Sequence, residues 1–148
     1  MPRLLDDPVV RLYVVVYALL VLKMAAVGTY TSILRLGRKV YATPEDYELQ
    51  RLPRKTTPDE DIERVRRAHR NDLENVLPFF VVGLLFLLTR PSPTAAAIYL
   101  IGYLVARTAH SVFYIRSMQP YRTIAFTLGA VLTLAMLVQT LLAVARAG

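Results

Sequence analysis

Long apolar stretches separated by short polar punctuation dominate the chain. Apolar residues run from about Val9 to Leu34, broken by Arg11 and Lys23, then over 73–89, 94–114 and 123–145. A helix needs about 20 residues to cross roughly 30 Å of hydrocarbon, which the fourth stretch satisfies outright and the others satisfy with a few polar residues inside. No stretch alternates apolar and polar at period two, so a membrane barrel is not expected. A water-soluble bundle would need a polar outer face at every turn, and segments such as 81–89 (VVGLLFLLT) and 126–138 (FTLGAVLTLAMLV) offer none. The pattern predicts an all-α integral membrane four-helix bundle, one domain over residues 1–148.

The punctuation refines this. Thr43-Pro44-Glu45-Asp46 supplies an N-cap, a first-turn proline and an acid at the third position, predicting a short helix in the first loop. Thr57-Pro58-Asp59-Glu60 repeats the signal, and a helix from there through Thr89 would be about 50 Å long, so its first turns would stand outside the bilayer core. Ser92-Pro93 opens the third span and Gln119-Pro120 breaks the chain before the fourth. Met1 to Pro8 carries Asp6 and Asp7, and the apolar run after it is too long for the core of a cleavable signal.

Composition excludes several classes. There is no cysteine, which rules out a disulfide scaffold and a thiolate-ligated metal site, and no metal site is expected. The net charge of +7 invites a nucleic-acid reading, but a mean hydropathy of +0.39 argues against it. Charge placement explains both values. Of 18 Lys and Arg, ten lie between Arg35 and Arg70, while Arg116 and Arg122 flank the third loop. The opposite side holds Arg3, Arg11, Arg90 and Arg146. Twelve against four is a positive-inside bias, placing loops one and three in the cytosol and both termini across the membrane. The membrane is of endoplasmic-reticulum or bacterial inner-membrane type.

Polar residues gather at the cytosolic end. Arg67, Arg70, Asn71 and Glu74 share one helix face, as do Arg107, His110, Ser111 and Tyr114. Arg35 closes the first span, and Arg122 with Thr123 opens the fourth. Polar groups facing lipid are costly, so these should turn inward or toward a subunit interface and receive an anionic ligand from the cytosol. Some basic side chains, such as Arg38, Lys39, Arg64 and Arg66, are expected to reach lipid phosphates. Tyr13, Tyr17, Tyr41 and Tyr103 are expected as interfacial anchors. Glu74 and Arg107 lie about 22 Å and 20 Å from the far side at 1.5 Å per residue, predicting a buried pair. Lys23 is similarly deep and is expected to reach Asp72.

The run 63–79 (ERVRRAHRNDLENVLPF), together with 38–46 (RKVYATPED), 106–114 (ARTAHSVFY) and 120–123 (PYRT), resembles the MAPEG family, the membrane-associated proteins of eicosanoid and glutathione metabolism. The resemblance implies a homotrimer with glutathione sites between subunits. It implies glutathione contacts for Arg35, Arg67, Arg70, Asn71, Glu74, His110, Tyr114 and Arg122. It further implies that Arg122 stabilises the thiolate, that Thr123 adds a hydroxyl, and that Asp46 takes a catalytic role. Phe126 and Ala130 stand where the prostaglandin E synthase branch has tyrosine and glutamine; Phe126 resembles the glutathione-transferase branch.

The chemistry fits glutathione, which carries two carboxylates and one ammonium that clustered Arg and one Glu suit. A guanidinium and a helix N-terminus near the thiol would lower its pKa from about 8.5. The partners implied are glutathione, membrane lipids and an apolar second substrate arriving between the first and fourth spans, with no nucleic acid. The reading is a glutathione transferase or peroxidase, with an endoperoxide isomerase as the alternative and a non-enzymatic lipid-presenting protein as the third class.

Overall fold

A computed structural model describes residues 4–147; Arg3, counted above on the non-cytosolic side, lies outside them. After a single 3-10 turn at Leu4–Asp6 come α1 (Pro8–Arg38), α2 (Pro44–Leu49), α3 (Glu60–Leu88), α4 (Pro93–Ile115) and α5 (Tyr121–Ala147). Four of these are long and apolar enough to cross a membrane. The protein is therefore an all-helical, multi-pass integral membrane protein. Side chains such as Leu22, Val81, Ile98, Val131 and Leu141 remain exposed on the outside of the chain, where a soluble bundle would carry polar residues.

The helix ends follow from local chemistry. Asp7 caps α1, accepting from the Val9 N–H at 2.7 Å, and α1 ends when Lys39 turns into the left-handed region at φ 52°. Ser92 caps α4, accepting from the Ala95 N–H at 3.2 Å. Two caps differ from expectation. The cap of α3 is Asp59, which accepts from the Asp61 and Ile62 N–H groups at 3.1 Å, so the helix starts two residues after Thr57-Pro58. A carboxylate accepts more strongly than a hydroxyl and wins the position. Thr43 stands at the N-cap of α2 but its side chain caps nothing. The Glu45 carboxyl is held below its ordinary range by its own backbone N–H and by the Thr43 hydroxyl, which occupies that hydroxyl.

Helices α3 and α4 touch each other and form the middle of the bundle. Each also packs against α1 and α5, while α1 and α5 do not meet among the described residues. An entry route between the first and fourth spans is therefore not formed within one chain. The apolar core joins Val16 and Leu20 of α1, Val76, Phe79 and Phe86 of α3, Leu100 and Tyr103 of α4, and Met136 of α5.

Pro78 sits inside α3 and removes one backbone donor. Three tyrosines serve the carbonyls around it. Tyr103 donates to Asn75 O at 2.9 Å, Tyr17 to Phe79 O at 3.3 Å and Tyr13 to Phe80 O at 3.1 Å. These hydroxyls tie α1 and α4 to the α3 backbone on either side of Pro78. This corrects the expectation of interfacial anchors: Tyr103 is 1% exposed and stacks on Phe79 with centroids 3.5 Å apart. The tyrosine pair on α1 also fits closely against Gly83, where an added Cβ would lie 2.9 Å from the Tyr13 ring.

The expected pairing of Glu74 with Arg107 is also corrected. Arg107 Nη2 lies 3.1 Å from Asp72 Oδ1, and Lys23 Nζ lies 2.5 Å from the same oxygen. Ser111 donates to the Asp72 carboxylate at 3.2 Å. The depth was right but the azimuth decided: Asp72 is on the buried face of α3, while Glu74, about 200° further round, is exposed. Removing the shared carboxylate leaves the buried Arg107 and the half-buried Lys23 without their counter-charge, so Asp72→Asn is expected to cost about 3–5 kcal/mol of stability. Glu74→Gln is expected to cost little. Thermal unfolding in detergent checks both, and equal losses would contradict this assignment.

Candidate functional site

The antiparallel run of the helices brings the C-terminal end of α1, the first half of α3, the second half of α4 and the start of α5 to one end of the bundle, together with α2. The polar residues expected there form three groups rather than one.

The first group joins α4 to α5. His110 is buried, its ring 5.6 Å from Tyr114 and 5.8 Å from Phe126. The Arg122 guanidinium, in the first turn of α5, lies 4.6 Å from the Tyr114 ring centroid, a cation–π contact. Gln119 supports it. A guanidinium only donates, so the Gln119 amide oxygen faces Arg122, accepting from Nε at 3.1 Å and from Nη2 at 2.5 Å. The amide nitrogen then donates to Thr123 Oγ1 at 3.1 Å, leaving the exposed Thr123 hydroxyl hydrogen free to donate elsewhere. Arg122 itself is half-buried. The cis peptide before Pro120 leads directly into this turn. Gln119 was passed over in the sequence, although its place three residues before Arg122 was the available signal.

The second group is on α3. Arg67, Arg70 and Glu74 are exposed on one face, with Asn71 half-buried beside them. Only Asn71 reaches inward, accepting from Arg107 Nη2 at 2.7 Å through its side-chain oxygen. Arg107 in turn lies 5.9 Å from the Phe126 ring, which links this group to the first. Glu74 and Arg107 line a cavity of about 270 Å³ with Asn75, Tyr103, Gly129 and Ala130. Glycine at 129 makes room for Arg107, since a Cβ there would lie 3.2 Å from Arg107 Cδ.

The third group is between α1 and α2. Arg35 and Asp46, both half-buried, line a cleft of about 320 Å³ with Ser32, Tyr41 and Gln50. Since α1 and α5 do not meet, Arg35 and Asp46 are not brought to Arg122 within one chain.

The MAPEG family model matches residues 13–142. The chain belongs to the MAPEG family. It is 36% identical to microsomal glutathione S-transferase 1 of Homo sapiens over 139 residues, covering 90% of each chain. Microsomal glutathione S-transferase 1 of Sus scrofa is 42% identical over 126 residues, 81% of each. Prostaglandin E synthase of Homo sapiens is 34% identical over 143 residues, 96% of this chain and 94% of that one.

In this MAPEG chain the loop carrying α2 is pinned at both ends. Arg38, at the end of α1, pairs with Asp59 at 2.7 and 2.8 Å and with Asp61 at 2.8 Å, and Lys55 donates to Arg38 O at 2.8 Å. Arg38 therefore holds protein carboxylates, where a lipid phosphate was expected; Arg64 and Arg66 likewise pair with Asp61 and Glu63. The Arg38 guanidinium, aided by the Ile62 N–H, holds the Asp59 carboxyl below its ordinary 3.8. A carboxyl so lowered stabilises the folded loop at every pH above its unfolded value and loses that contribution as pH falls through its folded value. Acidification below about 4 is therefore expected to release the clamp and the α3 cap together. Amide exchange of residues 39–62 should rise in that window and stay unchanged between pH 6 and 8. In Asp59→Asn the acid-dependent rise should shrink to the part carried by the Arg38–Asp61 pair.

Proposed function

We propose that this chain is a membrane-bound glutathione transferase or peroxidase, working on apolar electrophiles or lipid hydroperoxides, with its active site toward the cytosol. The observation that carries the reading is Arg122: half-buried at the first turn of α5, held over Tyr114 and clamped by Gln119, beside the free hydroxyl of Thr123. A guanidinium and a helix N-terminus acting at one point favour a thiolate over a thiol. Membership of a family with glutathione S-transferase relatives at 36% and 42% identity supplies the class of thiol.

The residues present fit that tripeptide. Arg67 and Arg70 have free guanidinium edges for its carboxylates, and Arg35 offers a third; Glu74 accepts from its ammonium. Bound glutathione supplies the nucleophile, so the absence of cysteine from the chain is no obstacle. In the transferase reaction the thiolate forms a bond to an electrophilic carbon and the leaving group departs with its electron pair. Arg122 and Thr123 hold the thiolate until then, and Asp46 is proposed to orient the second substrate.

The α1–α2 group is not brought to Arg122 within one chain, and Arg67, Arg70 and Glu74 are exposed on it. A site completed by a neighbouring copy in a homotrimer unites them, and gives the apolar substrate a path between α5 of one copy and α1 of the next. An isomerase acting on a prostaglandin endoperoxide is the second reading, favoured by the relative named prostaglandin E synthase, which matches 96% of this chain. Parallel assays with chlorodinitrobenzene, a lipid hydroperoxide and the endoperoxide separate the two, and native mass spectrometry in detergent tests the trimer. Calorimetry with glutathione excludes or establishes a merely lipid-presenting protein.

Two substitutions test the roles. Arg122→Ala should raise the pKa of the bound glutathione thiol. A rise of about 1 leaves tenfold less thiolate at neutral pH, so turnover there should fall in proportion and partly recover at higher pH. Arg70→Ala should chiefly weaken glutathione binding, with a smaller loss of turnover at saturation. Thiolate absorbance against pH, read with turnover, checks both. An Arg122→Ala protein unchanged in both would make Arg122 a structural anchor.

A further inference from the structure

The buried cluster at the centre of the bundle has a feature that stability alone does not call for. Two cations, Lys23 and Arg107, share the one Asp72 carboxylate, and the second anchor of Arg107 is not an acid but the side chain of Asn71. Arg107 is 1% exposed and Asp72 fully buried, so this arrangement is fixed from within. Arg107 Nη2 donates to three acceptors: Asn71 Oδ1 at 2.7 Å, Asn71 O at 3.1 Å and Asp72 Oδ1 at 3.1 Å. Asn75 Nδ2 adds a fourth bond, to Asn71 O at 2.8 Å.

We infer that the Lys23–Asp72–Arg107 cluster is a positioning device for Asn71, fixing its side-chain amide so that it presents two N–H donors, and no acceptor, to an anionic group of glutathione. An asparagine amide is ambiguous by itself, with an oxygen and a nitrogen of nearly equal size that exchange by rotation. A guanidinium removes the ambiguity because it has no acceptor. With Oδ1 held by Arg107, Nδ2 is turned to the opposite side, toward the face of α3 where Arg67, Arg70 and Glu74 are exposed. Nδ2 has no partner among the described residues. Asp72 and Lys23 keep Arg107 from swinging away, and Ser111, donating to both Asp72 oxygens at 3.2 and 3.3 Å, holds the carboxylate. Three helices thus set the hydrogen-bonding sense of one side chain. Arg107 touches no ligand in this scheme; it is a positioning residue.

The inference rests on the glutathione reading, and its test separates the two. In Asn71→Asp the Arg107 anchor survives as an ion pair and the cluster gains the anion it lacks, but both outward donors are lost. Thermal stability is expected to hold or rise while glutathione affinity, measured by calorimetry on the detergent-solubilised full chain, falls about tenfold or more. All three Arg107 bonds leave from one nitrogen, so the ammonium of Arg107→Lys is expected to preserve affinity, and Arg107→Met to lose it. In an Asn71→Leu background, Arg107→Met should cost no further affinity, because the group it positions is gone.

Unchanged glutathione affinity in Asn71→Asp overturns the inference, as does a loss of affinity that tracks a loss of stability, since that marks a packing role. Should Arg107→Met fail to fold, the Asn71→Asp and Arg107→Lys measurements decide. A wild-type chain that binds no glutathione overturns the proposed function and this inference with it; wild-type binding with an unaltered Asn71→Asp overturns this inference alone.

Discussion

A carboxylate removed from water must find its counter-charges in the protein, and Asp72 finds them on two other helices. Lys23 reaches it from α1, and Arg107 and Ser111 from α4. An unpaired ion at this depth is strongly unfavourable, so the contact sets the rotation and height of α1, α3 and α4 relative to one another. Apolar packing in a membrane does not impose such a register, because lipid tails are as apolar as the side chains they would replace. The specificity of the bundle core comes from this one ion and the hydrogen bonds that complete it.

Helix α3 depends on its neighbours in a second way. Tyr13 and Tyr17 of α1 and Tyr103 of α4 donate to its carbonyls on either side of Pro78. The Tyr103 ring also stacks on Phe79. One level holds the polar contacts to Asp72, the next the aromatic contacts around Pro78. Between them these two levels leave the opposite face of α3 free to carry Arg67, Arg70 and Glu74 outward. The same helix thus anchors the core and offers a charged surface, and in the proposed trimer that surface is where a neighbouring copy and glutathione meet.

The proposed chemistry divides the cations by environment. Arg122 lies at a helix start against an aromatic ring, with its direction set by Gln119. Arg107 is enclosed, and its bonds to protein acceptors all leave from Nη2, while its buried Nε has no partner among the described residues. Arg67 and Arg70 keep their guanidinium groups exposed. A chain with net charge +7 therefore does not act as a uniform positive field: each guanidinium's role follows from what surrounds it.

Much was legible in the sequence because it depends on one-dimensional periodicity. Twenty-residue apolar runs, the start of a helix at Ser92-Pro93, the break at Pro120 and the clustering of Arg at one end follow from spacing along the chain, as does the matched depth of Lys23, Glu74 and Arg107. The motifs that resemble the MAPEG family were legible for the same reason. Azimuth was not legible. Glu74 and Asp72 differ by two residues, yet one is exposed and the other fully buried, and only the packing of α3 against α1 and α4 decides which meets Arg107. Tyr103 reads as an interfacial ring until Phe79 and the Asn75 carbonyl are found beside it. The hydrogen-bonding sense of Asn71 and of Gln119 was likewise decided in three dimensions, because an amide takes its orientation from the donors around it and the sequence does not say where those donors lie.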